Sequence, residues 1–121
     1  MPEDLSPFLP LSPATLHILL SLAGEDRHGY GIMLEVARQS EGQYKLGPGT
    51  LYDNLQKMTE QGLVEEAPLA RGAARGEDSR RKYYRLTSFG RKVLAAEIAR
   101  LETLVREAKA HLRRPAAGRA S

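Results

Sequence analysis

Gly47-Pro48-Gly49-Thr50-Leu51-Tyr52-Asp53-Asn54-Leu55-Gln56-Lys57-Met58-Thr59-Glu60-Gln61-Gly62 is the stretch on which the reading of this chain turns. As a helix it places Leu51, Leu55 and Met58 at i, i+4 and i+7, a single apolar face. Pro48 suits the first turn, where its missing N–H would be unpaired anyway, and Gly62 suits the stop. The other faces carry Thr50, Tyr52, Asp53, Asn54, Gln56, Lys57 and Gln61, mostly uncharged hydrogen-bonding groups of both polarities. Such a mixture can read base edges in a major groove. It also fits an ordinary amphipathic surface helix, so the flanking sequence has to separate the two.

Upstream, residues 1–11 are punctuated by proline and are expected to form an irregular arm, with Phe8, Leu9 and Leu11 able to pack on a neighbour. Ser12-Pro13 reads as an N-cap followed by proline at the first helical position. Leu16, Leu19, Leu20 and Ala23 supply the expected buried stripe of a first helix that stops at Gly24, and Glu25 to Gly29 reads as a turn. A second helix is predicted from Gly29 to about Ser40, with Tyr30, Met33, Leu34 and Ala37 as its apolar face. Gly29 and Gly31 in its first turn would each weaken the helix, which points to a close neighbour. Gly42 ends it, and Tyr44-Lys45-Leu46 alternates like a very short strand. Three helices joined by short turns, the third polar on its outer face, make a helix-turn-helix.

Downstream, Leu63 to Ala67 reads as a strand and Arg80 to Leu86 as a second, with Tyr84 and Leu86 on one face and Tyr83 and Arg85 on the other. The glycine-rich segment between them makes the pair a β-hairpin, or wing. Arg71, Arg75, Arg80, Arg81, Lys82 and Arg85 lie in the loop and second strand, against only Glu77 and Asp78. Arginine on such a hairpin can follow a phosphate backbone or enter a narrow minor groove. Thr87 then caps a last helix, from about Ser88 to Arg113, in which Leu94, Ile98, Leu101, Val105, Ala108 and Leu112 form a heptad seam. So long a seam cannot be buried entirely on a small three-helix body, and a two-fold dimer across it is the economical solution.

The expected fold is therefore mainly α with a small β-hairpin (α+β): a winged helix-turn-helix plus a long C-terminal dimerisation helix. Its parts are an arm at 1–11, the winged domain at 12–86, the dimerisation helix at 87–113 and a disordered tail at 114–121. Charge is segregated to match. Residues 1–70 hold four Lys and Arg against ten Asp and Glu, and residues 71–121 hold fourteen against five. A regional basic surplus is what a polyanion partner requires. The absence of cysteine removes disulfides and thiolate metal sites and fits a cytoplasmic protein. Neither a membrane-spanning run nor a signal peptide is expected.

An enzyme reading finds little support. His17, His28 and His111 are spread without metal-ligand spacing, and His28 reads as a turn or cap residue. The glycine pairs at Gly29–Gly31 and Gly47–Gly49 lack the lysine and hydroxyl that complete a phosphate cradle. No cofactor and no metal are expected. The remaining competitor is a winged-helix module that meets an acidic protein partner through the wing arginines.

Four motifs together, His28-Gly29-Tyr30-Gly31-Ile32, Gly47-Pro48-Gly49-Thr50-Leu51-Tyr52, Gly62-Leu63-Val64 and Tyr83-Tyr84-Arg85-Leu86-Thr87, resemble the PadR family of bacterial transcriptional regulators. The resemblance covers roughly residues 12–112, and the single short C-terminal helix resembles the smaller subfamily. It implies a homodimeric winged-helix repressor on a roughly palindromic operator in double-stranded DNA, released by a small-molecule effector. Its recognition-helix start falls on Gly49, Thr50, Leu51 and Tyr52, and its wing on Arg80 through Tyr83 to Tyr84. Asp53 stands where many members have proline or a neutral residue; its carboxylate repels phosphate but can accept from cytosine N4. The groove-facing set expected from helix and resemblance is Thr50, Tyr52, Asp53, Asn54 and Lys57.

Overall fold

Each helix begins and ends where local chemistry dictates. The computed structural model describes residues 4–68 and 82–114. Helix α1 (Pro13–Ala23) is capped by Ser12, whose hydroxyl accepts from the Thr15 N–H at 3.2 Å. Helix α2 (Gly29–Gln39) is capped by His28, whose Nδ1 accepts from the Gly31 N–H at 3.1 Å. Helix α3 (Pro48–Glu60) starts at Gly47 without a side-chain cap. Helix α4 (Ser88–Arg113) is capped by Thr87, whose hydroxyl accepts from the Gly90 N–H at 2.8 Å. Such a cap contributes about 1 kcal/mol.

The stop of α3 turns the chain into the sheet. Gly62 sits at φ 78°, its N–H donates to the Thr59 carbonyl, and the Leu63 N–H reaches back to Met58 at 2.9 Å. That is a Schellman closure, and the left-handed backbone it needs favours glycine. Strand β2 (Val64–Ala67) follows at once, and β3 (Tyr83–Leu86) returns antiparallel to it, pairing Glu65 with Arg85 and Glu66 with Tyr84.

A third strand extends this hairpin. Arg27–His28, expected as part of a turn, forms β1, and the sheet order is β1-β3-β2. Arg27 pairs with Tyr84 and His28 with Tyr83. Two residues hold no strand signature of their own; the pairing comes from a partner far along the chain. The reverse holds for Tyr44 to Leu46, expected as a short strand, which pairs with nothing in the sheet. Its alternation reflects burial of Leu46 and the stacking of Tyr44 on His17, with ring centres 4.5 Å apart.

The core lies between α1, α2, α3, the sheet and the first turns of α4. It gathers Ile18, Leu19 and Leu22; Ile32 and Val36; Leu51, Leu55 and Met58; Leu63, Val64 and Leu86; and Val93 and Leu94. Two expected stripes are rotated relative to this core. In α1, Ile18 and Leu22 join Leu19 inside, while Leu16, Leu20 and Ala23 are only partly buried. In α2 the buried face is Gly29, Ile32 and Val36, and Tyr30 and Leu34 stand 60% and 54% exposed. Both sets in α2 satisfy helical spacing, so periodicity alone could not choose between them.

The arm is also better organised than expected. Ser6–Phe8 makes one 3-10 turn, and Phe8 packs edge-on against Phe89 of α4 with centroids 5.3 Å apart. Glu97 of α4, 1% exposed, accepts from the Leu11 N–H at 3.0 Å and from Arg100 Nε at 2.6 Å. The Arg100 hydrogen bonds hold this carboxyl below the usual range against the opposing effect of burial, with the Leu11 N–H adding to them. A buried carboxylate with its lone pairs engaged ties the arm to α4.

Close contact at Gly90 joins α4 to Leu63, the residue before β2. A Cβ there would lie 2.9 Å from the Leu63 carbonyl carbon and closer still to its oxygen. That same oxygen accepts from the Thr87 N–H at 3.1 Å and hydroxyl at 3.2 Å. The first turn of α4 therefore rests directly on backbone at the base of the wing.

Candidate nucleic-acid interface

Helix α3 packs on α1, α2 and β2 through Leu51, Leu55 and Met58 and leaves its opposite side clear. At about 100° per residue, Asp53 lies roughly 200° round the helix from Leu51, with Gly49, Gln56, Lys57 and Glu60 beside it. All five are exposed. Gly49 has nothing within 4 Å of an added Cβ, so this face is open along its first two turns. Gln56 was not among the expected groove-facing residues, although its spacing from Asp53 put it on the same arc.

Tyr52 lies on the flank toward the sheet. Its ring covers Gly29, where an added Cβ would fall 2.8 Å from Cζ, and it remains 50% exposed. This is the close neighbour expected at Gly29, and it joins the first two motifs physically; at Gly31 an added Cβ would make only ordinary contacts, from 3.5 Å, with His28 and Arg27. A groove of about 360 Å³ runs along this flank, lined by Tyr52, Gln56, Thr59, Glu66, Lys82 and Tyr84 among others. Burial, then the nearby Glu66 and Tyr52, push the Tyr84 hydroxyl pKa up.

Asn54 lies on the other flank and is engaged inside the protein. Its Nδ2 donates to the Thr50 carbonyl at 2.8 Å, and its Oδ1 accepts from the Thr15 hydroxyl at 3.3 Å. Lys57 borders a second groove, about 260 Å³, between α3, the start of α1 and the arm. Thr50 is exposed in the first turn of α3, beside the uncapped Gly47 end. An uncapped helix start presents N–H groups and a partial positive charge, which suits a phosphate oxygen.

The base of the wing is electrostatically balanced. Lys82 pairs with Glu66 at 3.6 Å, and Arg85 with Glu65 at 2.9 Å across the β2–β3 register. Tyr83 is half-buried, edge-on to His28 at 5.2 Å. Arg71, Arg75, Arg80 and Arg81 lie outside the described residues, as does the tail from residue 115. Lys45, exposed just before α3, is a further cation that the sequence reading passed over.

Along α4 the heptad seam divides in two. Leu94 is buried in the protomer's own core and Ile98 packs against it, whereas Val105, Ala108 and Leu112 are exposed, Leu112 to 84%. Ile98, Leu101 and Val105, with Glu102 and Arg106, line a shallow groove of about 390 Å³ where the two halves meet. Among the described residues no helix is long and apolar enough to cross a membrane.

Residues 18–96 match the model of the transcriptional regulator PadR-like family. The chain belongs to that family. The transcriptional regulator Rv3488 of Mycobacterium tuberculosis is 37% identical over 93 residues, which cover 76% of this chain and 78% of that protein. A PadR family transcription regulator from Clostridium difficile superposes with a TM-score of 0.67 at 23% identity, over 84% of this chain and 99% of its own. PadR of Bacillus subtilis, solved in complex with operator DNA, gives 0.59 at 21% identity, over 74% of this chain and 48% of its own. Likeness at these identities shows the fold, and the fold is the PadR-type winged helix with a long C-terminal helix. As a PadR-like chain it is a transcriptional regulator.

Proposed function

We propose that this PadR-like regulator is a homodimeric repressor that binds a pseudo-palindromic operator in double-stranded DNA. The observation that carries the reading is the open outer face of α3, whose Gly49, Asp53, Gln56 and Lys57 are exposed while its apolar stripe fills the core. Each protomer lays the N-terminal half of α3 in a major groove, and two-fold symmetry sets the half-sites about one helical turn, roughly 34 Å, apart. Thr50, Tyr52 and Lys57 contact the groove or its walls. Asn54, held by Thr15 and Thr50, steadies the helix on α1 and reaches DNA only at its edge.

Affinity comes from the wing. Because Lys82 and Arg85 are paired with glutamates, the surplus charge resides in Arg71, Arg75, Arg80 and Arg81, which follow the phosphate backbone or the minor groove. Dimerisation uses the half-buried Leu101 and the exposed Val105, Ala108 and Leu112 of the α4 seam, continuous with the Leu94 and Ile98 half that anchors α4 on its own protomer. The groove at Ile98, Leu101 and Val105 would lie against the partner helix, where a small apolar effector could lodge and alter the spacing of the two recognition helices. Work on DNA places the protein in the cytoplasm.

The test is binding to the DNA upstream of its own coding region beside a scrambled duplex of equal length, across a salt series. A preference of about 10³ or more is expected for a sequence-reading repressor. Replacing Arg80 and Arg81 by Ala should flatten the log–log salt slope by about 0.9 per lost phosphate contact. Equal binding to both duplexes refutes an operator at that position. No binding to either at low salt favours an acidic protein as the partner.

A further inference from the structure

One side chain on the proposed reading face stands against the charge of its partner. The Asp53 carboxylate is exposed on the side of α3 opposite the core and has no hydrogen bond or ion pair among the described residues. The carboxylates at the base of the wing are neutralised, Glu65 by Arg85 and Glu66 by Lys82. Glu60 also has no ion pair among the described residues but lies two turns further along α3, about 10 Å from Asp53 along the axis and away from the end that enters a groove. An unpaired carboxylate brought against a polyanion weakens binding unless it meets a hydrogen-bond donor there.

The major groove offers few such donors. Guanine N7 and O6 and thymine O4 are acceptors and repel a carboxylate; only cytosine N4 and adenine N6 donate. Adenine N6 has the N7 lone pair beside it, which faces the second carboxylate oxygen, whereas cytosine N4 is flanked by C5–H. We infer that Asp53 reads cytosine through its N4 amino group and rejects guanine and thymine at the same position, so that one C·G pair per half-site is set by this residue. Gly49, one turn earlier on the same arc, has no side chain to hold the helix off the bases, and open space surrounds it. Gln56, one turn later, is free to contact the neighbouring base pair. The inference rests on the assignment of α3 as the reading helix and adds which base that helix demands.

The experiment is a selection from random-sequence duplexes with the full chain, run in parallel for wild type, Asp53→Ala and Asp53→Asn. Wild type should enrich a two-fold motif with a C·G pair preferred about tenfold or more at one position in each half-site. D53A should lose that preference at this position alone, to within about twofold, and should bind scrambled duplex more tightly because one negative charge per protomer is gone. D53N should exchange cytosine for adenine there, since an amide matches the N6 donor and N7 acceptor. A D53A protein with the wild-type motif unchanged at every position overturns the inference and leaves the regulator reading standing. Loss of all enrichment by D53A together with weaker binding to scrambled duplex also overturns it, because the residue would then be structural. Failure of wild type itself to enrich any motif removes the groove-reading assignment and the inference with it.

Discussion

Gly29 and Tyr52 belong to different motifs and touch in space, so a double-mutant cycle can measure their dependence. Gly29→Ala places a methyl carbon against the Tyr52 hydroxyl oxygen, its nearest neighbour, and 2.8 Å from Cζ and 3.3 Å from Cε1, well inside the ~3.5–4.0 Å of a relaxed carbon pair. The ring, half exposed, is the part that gives way; it must move by about 1 Å or leave its rotamer. Overpacking of this kind costs about 1–3 kcal/mol, and the low half of that range applies where one neighbour is free to swing. Against it, alanine is favoured over glycine in a helix by about 0.8–1.0 kcal/mol. G29A alone should therefore be destabilised by about 1 kcal/mol or less. In a Tyr52→Ala background the obstruction is gone, and the same change should stabilise by about 0.5 kcal/mol or more. The coupling is then about 1–2 kcal/mol, measurable by urea unfolding of the four proteins, followed by circular dichroism at one protomer concentration. Additivity within ~0.5 kcal/mol, the behaviour of independent sites, would refute the claim that these motifs are joined by this contact. G29A should also weaken DNA binding through displacement of Tyr52, and Y52A should remove that sensitivity.

Gly90→Ala meets backbone rather than a movable ring, so it should destabilise by about 3 kcal/mol in the same unfolding assay, while Gly24→Ala, in open space, should change stability by less than about 0.5 kcal/mol. Glu97→Gln should cost about 2 kcal/mol at neutral pH by turning an acceptor on Leu11 or Arg100 into a donor. Because the folded carboxyl is held below its unfolded value, its stabilisation is present above the ordinary Glu range and lost as pH falls through the folded pKa. Urea midpoints of wild type and E97Q should therefore converge below about pH 4, and a constant gap down to pH 3 would contradict the assignment. Val105→Glu, at a half-exposed seam position, should leave the protomer folded but shift sedimentation from dimer to monomer, and an unchanged dimer would place the interface elsewhere.

What could be read from the sequence was what is decided within a few residues. Ser12, Thr87 and Gly62 declare helix ends because capping and left-handed closure involve neighbours three to five positions away. The exposed face of α3 was legible because its apolar residues allow only one stripe. In α2, Tyr30–Met33–Leu34–Ala37 and Ile32–Val36 are both helical stripes, and the choice is made by α1 and α3 packing on one side. Strand β1 has no local cause at all; it exists because Tyr83 and Tyr84 come alongside Arg27 and His28. The pairing of Lys82 and Arg85 with glutamates is likewise a property of strand register, so a count of wing cations overstated the charge free to meet a phosphate. Asn54 was expected in the groove-facing set by residue type, and only the structure shows its amide engaged by the Thr15 hydroxyl and the Thr50 carbonyl.

The sheet order β1-β3-β2 gives protein synthesis an all-or-none character. The middle strand is the last to leave the ribosome, and neither outer strand has a partner until it does. A chain that ends before residue 83 carries α1, α2 and α3 but leaves β2 as a bare edge and Arg27–His28 without the partner that makes them a strand, and it lacks Leu86, Val93 and Leu94 from the core. Bare edges and an open core favour aggregation and degradation over partial function. An interrupted translation therefore yields no half-active regulator to compete for the same DNA.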